Sequence, residues 1–252
     1  AGSAGTQVSV IGGLTRSYTV AAGSLTEGKL LLENTGETPA DIRLYQTDYT
    51  FEADGTTQYG APGLLPRSNA KWLKVTPAQV TIPAHDTATV YFSLQVPSDE
   101  TLSGTYWSVL MVEPLPPTTT TPDAGGDGGV QVGIRMIQRY AVQIVSTFGT
   151  GTTTVAFHEP TVEAGPQGPL FHVDIANTGD FWVKPTTWIE LFDASGASQG
   201  RFPGNALRLY PGTSGRFTIP LLELPAGSYS ALVVADGGDE QVFGTQVPVT
   251  LP

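Results

Sequence analysis

The stretch Leu30-Leu31-Leu32-Glu33-Asn34-Thr35-Gly36 returns in the second half of the chain as Val173-Asp174-Ile175-Ala176-Asn177-Thr178-Gly179. Both read as an alternating strand closed by an Asn-Thr-Gly turn, in which Gly is expected to take positive φ. Two further segments repeat in the same order. Ile82-Pro83-Ala84-His85-Asp86-Thr87 matches Leu209-Tyr210-Pro211-Gly212-Thr213-Ser214, a proline turn leading into an alternating strand. Ser103-Gly104-Thr105-Tyr106-Trp107-Ser108-Val109-Leu110-Met111-Val112 matches Ala226-Gly227-Ser228-Tyr229-Ser230-Ala231-Leu232-Val233-Val234-Ala235. A repeat of this kind predicts one β-sandwich duplicated. Tyr106 and Tyr229 each follow a Gly at a strand start, where the ring either packs as a plain core aromatic or hydrogen-bonds back across a corner.

Composition agrees with an all-β chain of two tandem immunoglobulin-like antiparallel β-sandwich domains. The 252 residues suit two such domains of roughly 100 residues each. With 40% hydrophobic residues but 30 Gly and 20 Pro, real cores can form while long helices cannot. Period-two alternation predicts strands over 7–11, 16–21, 27–34, 40–51, 73–75, 79–82, 87–96 and 104–113. The run from Pro114 to Gly129 is Pro, Thr, Asp and Gly, predicted to be a long mobile loop. A strand of unusual length is then expected from Val130 to about Thr147, broken by Gly149-Thr150-Gly151. The domain boundary is placed there, giving domains 1–149 and 150–252. Later strands are expected over 154–157, 170–177, 186–193, 207–210, 215–219, 227–235 and 242–250.

Twelve basic residues against 23 acidic ones give a formal charge of -11, which disfavours nucleic acid and anionic lipid as partners. Without Cys there is no disulfide framework, thiol catalysis or thiolate metal site. No run of about 18 apolar residues spans a bilayer. The small, polar start Ala1-Gly2-Ser3-Ala4-Gly5-Thr6 reads either as a mature terminus left by signal-peptide removal or as an artificial boundary; on the first reading an extracytoplasmic location, periplasm or cell surface, is expected. His85, His158 and His172 lack the spacing of a zinc site. Gly196-Ala197-Ser198-Gln199-Gly200 fits G-x-S-x-G but is followed by Arg201-Phe202-Pro203-Gly204, so a hairpin turn is expected in place of a nucleophile elbow. Asp123, Asp127, Asp236, Asp239 and Glu240 lack calcium-loop spacing. No metal, cofactor or enzymatic activity is expected.

Val130, Val132, Ile134 and Met136 put four apolar side chains on one face of the predicted long strand, and Tyr140, Val142 and Ile144 continue the phase. Exposed apolar residues on a strand edge imply a protein partner. On this segment and the two-domain pattern, the whole chain resembles the PapD-like periplasmic pilus chaperones. The resemblance implies that the row Val130, Val132, Ile134, Met136 completes the sandwich of a pilus subunit or other envelope protein by β-strand donation. It also implies a basic pair anchoring the subunit's terminal carboxylate, for which Arg16 and Arg139 are the candidates; Arg139 stands where those chaperones commonly carry Lys. A second resemblance, to the extracellular region of WxL-interacting cell-surface proteins, rests on Asp48-Tyr49-Thr50-Phe51-Glu52-Ala53-Asp54-Gly55, the turn at Pro83, and the stretches Pro97 to Tyr106 and Pro211 to Tyr229. It implies a structural scaffold of the cell wall or surface layer, with 130–136 an ordinary core strand.

Overall fold

A computed structural model of the chain describes residues 8–116, 137–158, 160–222, 224–238 and 241–252. The chain divides into two compact units: Ala1–Tyr49, Gly60–Thr101 and Tyr106–Thr147 in the first, Thr50–Tyr59, Leu102–Thr105 and Phe148–Pro252 in the second. Among the described residues no helix is long and apolar enough to cross a membrane.

The first ten strands are β1 (Val8–Ile11), β2 (Thr15–Thr19), β3 (Leu25–Asn34), β4 (Ala40–Phe51), β5 (Thr57–Gly60), β6 (Leu73–Thr76), β7 (Gln79–Ile82), β8 (Asp86–Gln95), β9 (Gly104–Pro114) and β10 (Tyr140–Phe148). They form one sheet in the order β1-β3-β8-β6 and another in the order β2-β10-β9-β4-β5, with β7 also on β4. Alternation decides which side chains meet between the sheets. Leu30 and Leu32 of β3, Ile42 and Leu44 of β4, Val90, Phe92 and Leu94 of β8, Leu110 and Val112 of β9, and Val142 and Ile144 of β10 pack into one core. Each such side chain contributes roughly 1.5–3 kcal/mol on burial. The N-terminal chain serves both sheets. β1 pairs antiparallel with β3; after Gly12, at φ +91, β2 pairs parallel with β10.

The remaining strands are β11 (Val155–Phe157), β12 (Thr161–Gly165), β13 (Gly168–Asn177), β14 (Thr186–Phe192), β15 (Ser198–Ala206), β16 (Ser214–Pro220), β17 (Gly227–Asp236) and β18 (Val242–Leu251). β11 and β12 both pair with β13, which also pairs with β16; the facing sheet runs β15-β14-β17-β18. Phe171, Val173, Ile175, Ile189, Leu191, Phe217, Ile219, Ala231 and Val233 fill the core between them.

The repeated sequence elements adopt matching structures, for a reason different from the expected one. Neither Gly36 nor Gly179 takes positive φ. The turns are organised by their buried asparagines. Asn34 Nδ2 donates to the carbonyls of Thr38, at 2.8 Å, and Ile82, at 3.1 Å, while its Oδ1 accepts from Gly36 N–H. Asn177 repeats this with Phe181, at 2.8 Å, Leu209, at 3.0 Å, and Gly179 N–H. Glycine at 179 is required by close approach, because a Cβ there would lie 2.7 Å from Thr152 O and Thr154 N. In the second repeat His85 and Gly212 hold the same left-handed position, at φ 57 and 78. In the third, Tyr229 Oη donates to Pro225 O at 2.8 Å, the back-bond across the corner. Tyr106 packs its ring against that of Trp72, centroids 4.9 Å apart.

Several strands depart from the sequence reading. β5, β12 and β15 were not expected: every residue of β5 is exposed, and Ser198–Ala206 carries two Gly and a Pro, so neither shows apolar alternation. The strand expected over 207–210 is only a bridge between Leu209 and Val183. The long strand expected from Val130 begins, among the described residues, at Tyr140; Ile137, Gln138 and Arg139 precede it outside any strand.

Replacing Asn34 or Asn177 by Ala leaves several buried carbonyls and an N–H unpaired, so each change is expected to destabilise its own unit by about 2–4 kcal/mol. Urea unfolding followed by unit-specific hydrogen exchange checks this; a loss below about 0.5 kcal/mol at either site would show the asparagines to be dispensable.

Candidate functional site

The candidate site is the entry to β10. Tyr140, Val142 and Ile144 turn toward the core, and the strand is hydrogen-bonded on one side to β9. On its other side β2 covers only Gln143 to Thr147, with Gln143 paired to Thr15. Gln143 N–H donates to Leu14 O at 2.8 Å, the first contact of that ladder. Ahead of this point the N-terminal chain is already paired with β3. Among the described residues the edge of β10 over Tyr140–Val142 therefore has no strand from β2 against it. Exposed apolar side chains flank the opening in sequence: Ile11, Leu14 and Ile137. Backbone edge plus apolar side chains is the chemistry of strand addition.

Arg139 lies at the root of β10, its Nε 2.9 Å from Glu113 Oε1. Arg43, opposite Glu113 in the β4–β9 ladder, donates through Nε at 3.2 Å and through Nη2 to the other carboxylate oxygen. One carboxylate thus ties three strands' ends together. The Glu113 side chain is only 10% exposed, whereas both guanidinium groups stay more than half exposed. The hydrogen bond from Arg43 holds the Glu113 carboxyl below its usual range, helped by the charge of Arg139 and opposed by burial.

Arg16 is placed differently. Its Nη1 donates to the carbonyl oxygens of Gly13 and, at 3.3 Å, Thr15. It stands opposite Ile144 in the β2–β10 ladder, and so on the core-facing side. Glu113 and Arg139 are on the other face, out of phase with Val112 and Val142. The structure does not bring Arg16 and Arg139 together. Val130, Val132, Ile134 and Met136 lie outside the described residues.

No protein-family model matches the sequence, and no curated protein matches it. Solved structures do. A chain of the chaperone–tip adhesin complex described as vital for synergistic activation of CFA/I fimbriae biogenesis is 14% identical, with 96% of this chain and 100% of that chain covered and a TM-score of 0.54. The Class 5 fimbriae chaperone CfaA is 13% identical, with coverage of 96% and 100% and a TM-score of 0.50. The fold is that of the PapD-like pilus chaperones. At such identities the likeness is one of fold alone.

The remaining polar motifs have local roles. His85 Nε2 lies 3.1 Å from Glu37, and His172 Nδ1 lies 2.9 Å from Thr218 Oγ1. Among the described residues no three His, Asp or Glu side chains group as metal ligands. The G-x-S-x-G segment enters β15 from the β14–β15 turn, where Asp193 accepts from the N–H groups of Ser195 and Ala197. This is the hairpin turn expected from sequence. Glu113 and Arg43 were not expected at the site; the signal was a lone charge inside the apolar run Tyr106–Pro114.

A carboxyl whose folded pKa is depressed stabilises the fold above its unfolded value, about 4.3, and that contribution is lost as pH falls through the folded value. Acidification below about pH 4 is therefore expected to loosen the entry of β10, with Glu113→Gln less stable than the parent at neutral pH and less sensitive to acid. Melting curves at several pH values test this; parallel pH profiles for the two proteins would refute it.

Proposed function

We propose that this chain is a non-enzymatic, extracytoplasmic chaperone or adaptor for pilus or cell-envelope assembly that works by β-strand donation. It acts as two tandem domains, 1–149 and 150–252, located in the periplasm or at the cell surface. The observation that carries the reading is the edge of β10, closed by β2 from Gln143 onward and, among the described residues, unpaired by β2 over Tyr140–Val142. The sequence leading into this opening carries Val130, Val132, Ile134 and Met136 in the same phase as Tyr140 and Val142. A partner strand in line with β2 gains backbone hydrogen bonds from the edge and side-chain contacts from the row. The fold shared with the Class 5 fimbriae chaperone supports the reading.

Arg139 adds a polar contact. With Nε on Glu113, its two terminal nitrogens have no partner among the described residues and are offered to a partner's carboxylate; Arg16, on the other face, would have to act on a separate group. Catalysis has no part in the proposal, since strand exchange needs no nucleophile, base or oxyanion donor.

Co-expression with a pilin-like subunit, followed by co-purification, tests the reading. If the row is kept for a partner, Ile134→Asp abolishes capture and changes the stability of the unbound chain by no more than about 0.5 kcal/mol. Arg139→Ala is expected to weaken binding of the subunit's carboxyl-terminal peptide about tenfold. Undiminished capture by Ile134→Asp, or its outright unfolding, would favour the scaffold reading, in which 130–136 is a core strand.

A further inference from the structure

The two units finish differently. In the first, the last strand β10 is flanked by β9 and β2. In the second, β11 and β12 both form their ladders with β13, and among the described residues β12 comes near the corresponding last strand without pairing with it. Among the described residues β18 ends its sheet, paired with β17 alone in an unbroken ladder from Gly227–Leu251 to Asp236–Val242. Its ten residues, Val-Phe-Gly-Thr-Gln-Val-Pro-Val-Thr-Leu, include no charge. Edge strands are normally blunted by charge, bulges, proline or shortness. The opposite edge, β15, has two register shifts and Pro203; β18 has only Pro248.

We propose that β18 pairs antiparallel with β18 of a second copy of this chain, about a two-fold axis through Thr245. Proline on an edge strand turns its nitrogen away from the ladder. Residues in its phase, Val242, Gly244 and Gln246, then present N–H and C=O outward. A two-fold normal to the sheet must match like phase with like phase, and an axis at Thr245 sets Gly244 against Gln246 of the second copy and Gln246 against its Gly244. The inward row Phe243, Thr245, Val247 is half-buried. It is self-complementary: two Phe243–Val247 contacts flank a central Thr245–Thr245 pair. Beside the row opens a cleft of about 230 Å³ lined by Phe157, Pro160, Val173, Val233, Thr245 and Val247 among others, at the break between β11 and β12. Side chains of the second copy cover its mouth.

Charge favours this sense of pairing. Asp236 stands at the Val242 end of the ladder, while the Leu251 end pairs with Gly227. Antiparallel pairing sets each acidic end against an uncharged one. Each copy carries -11 overall, so screening by salt strengthens the dimer, whereas a basic partner at this edge weakens with salt. The inference is independent of strand donation, since it uses β18 and no residue of the β10 site.

Sedimentation velocity of the full chain, from micromolar to millimolar concentration at low and high salt, is the test. A reversible monomer–dimer equilibrium that tightens with salt is expected. Gln246→Pro removes an outward N–H, and Thr245→Lys sets two ammonium groups face to face; each is expected to weaken the dimer more than about tenfold. Melts at dilute, monomeric concentration should match the parent. Where a variant melts lower, amide exchange of the parent decides: slower exchange over Val242–Val247 at high concentration supports the pairing. A parent that stays monomeric at millimolar concentration, a dimer that survives both substitutions, or exchange independent of concentration overturns it.

Discussion

A strand at the margin of a sheet carries backbone donors and acceptors that water satisfies only until a better partner arrives, and this constraint organises both units. In the first, the N-terminal chain meets it by changing sheets at Gly12, so that β1 closes β3 and β2 closes most of β10. Among the described residues β2 stops short of Tyr140–Val142, and those residues are the candidate site. In the second unit the initial strand stays with β13 and β18 is left as a margin. The same sandwich, duplicated, thus offers two different edges.

The duplication rests on polar residues as much as apolar ones. Leu30, Leu32, Phe171 and Phe217 supply burial and forbid a one-residue slip, but a slip of two residues keeps the same side chains on the buried face. Asn34 and Asn177 each tie a strand end to the carbonyl of the residue opening the proline-turn element, Ile82 or Leu209. An amide locked to specific carbonyls has one register in which it is satisfied, and any other leaves buried polar atoms unpaired.

Much of this fold was legible in the sequence, because alternation and repeated turns are local signals. Leu30–Gly36 and its echo located equivalent strands, although the turn depends on the asparagine side chain more than on glycine φ. Strands made by pairing alone escaped notice: Thr57–Gly60 buries nothing, and Ser198–Ala206 reads as turns until β14 is laid beside it. The site was half legible. Phase marked Tyr140, Val142 and Ile144, and Arg139 could be singled out by its opposite parity. That Glu113 and Arg43 hold Arg139, and that Arg16 faces the other way, depends on ladder registers between residues far apart in sequence.

The parallel pairing of Thr15–Thr19 with Gln143–Thr147 joins the two ends of the first unit's sequence. Such a contact of long sequence separation comes late in folding, after the cost of closing so large a loop has been met. During vectorial synthesis β2 waits, unmatched, until its mate emerges. A nascent chain held at that stage is itself a sandwich lacking one strand, and so open to a stray segment from another polypeptide.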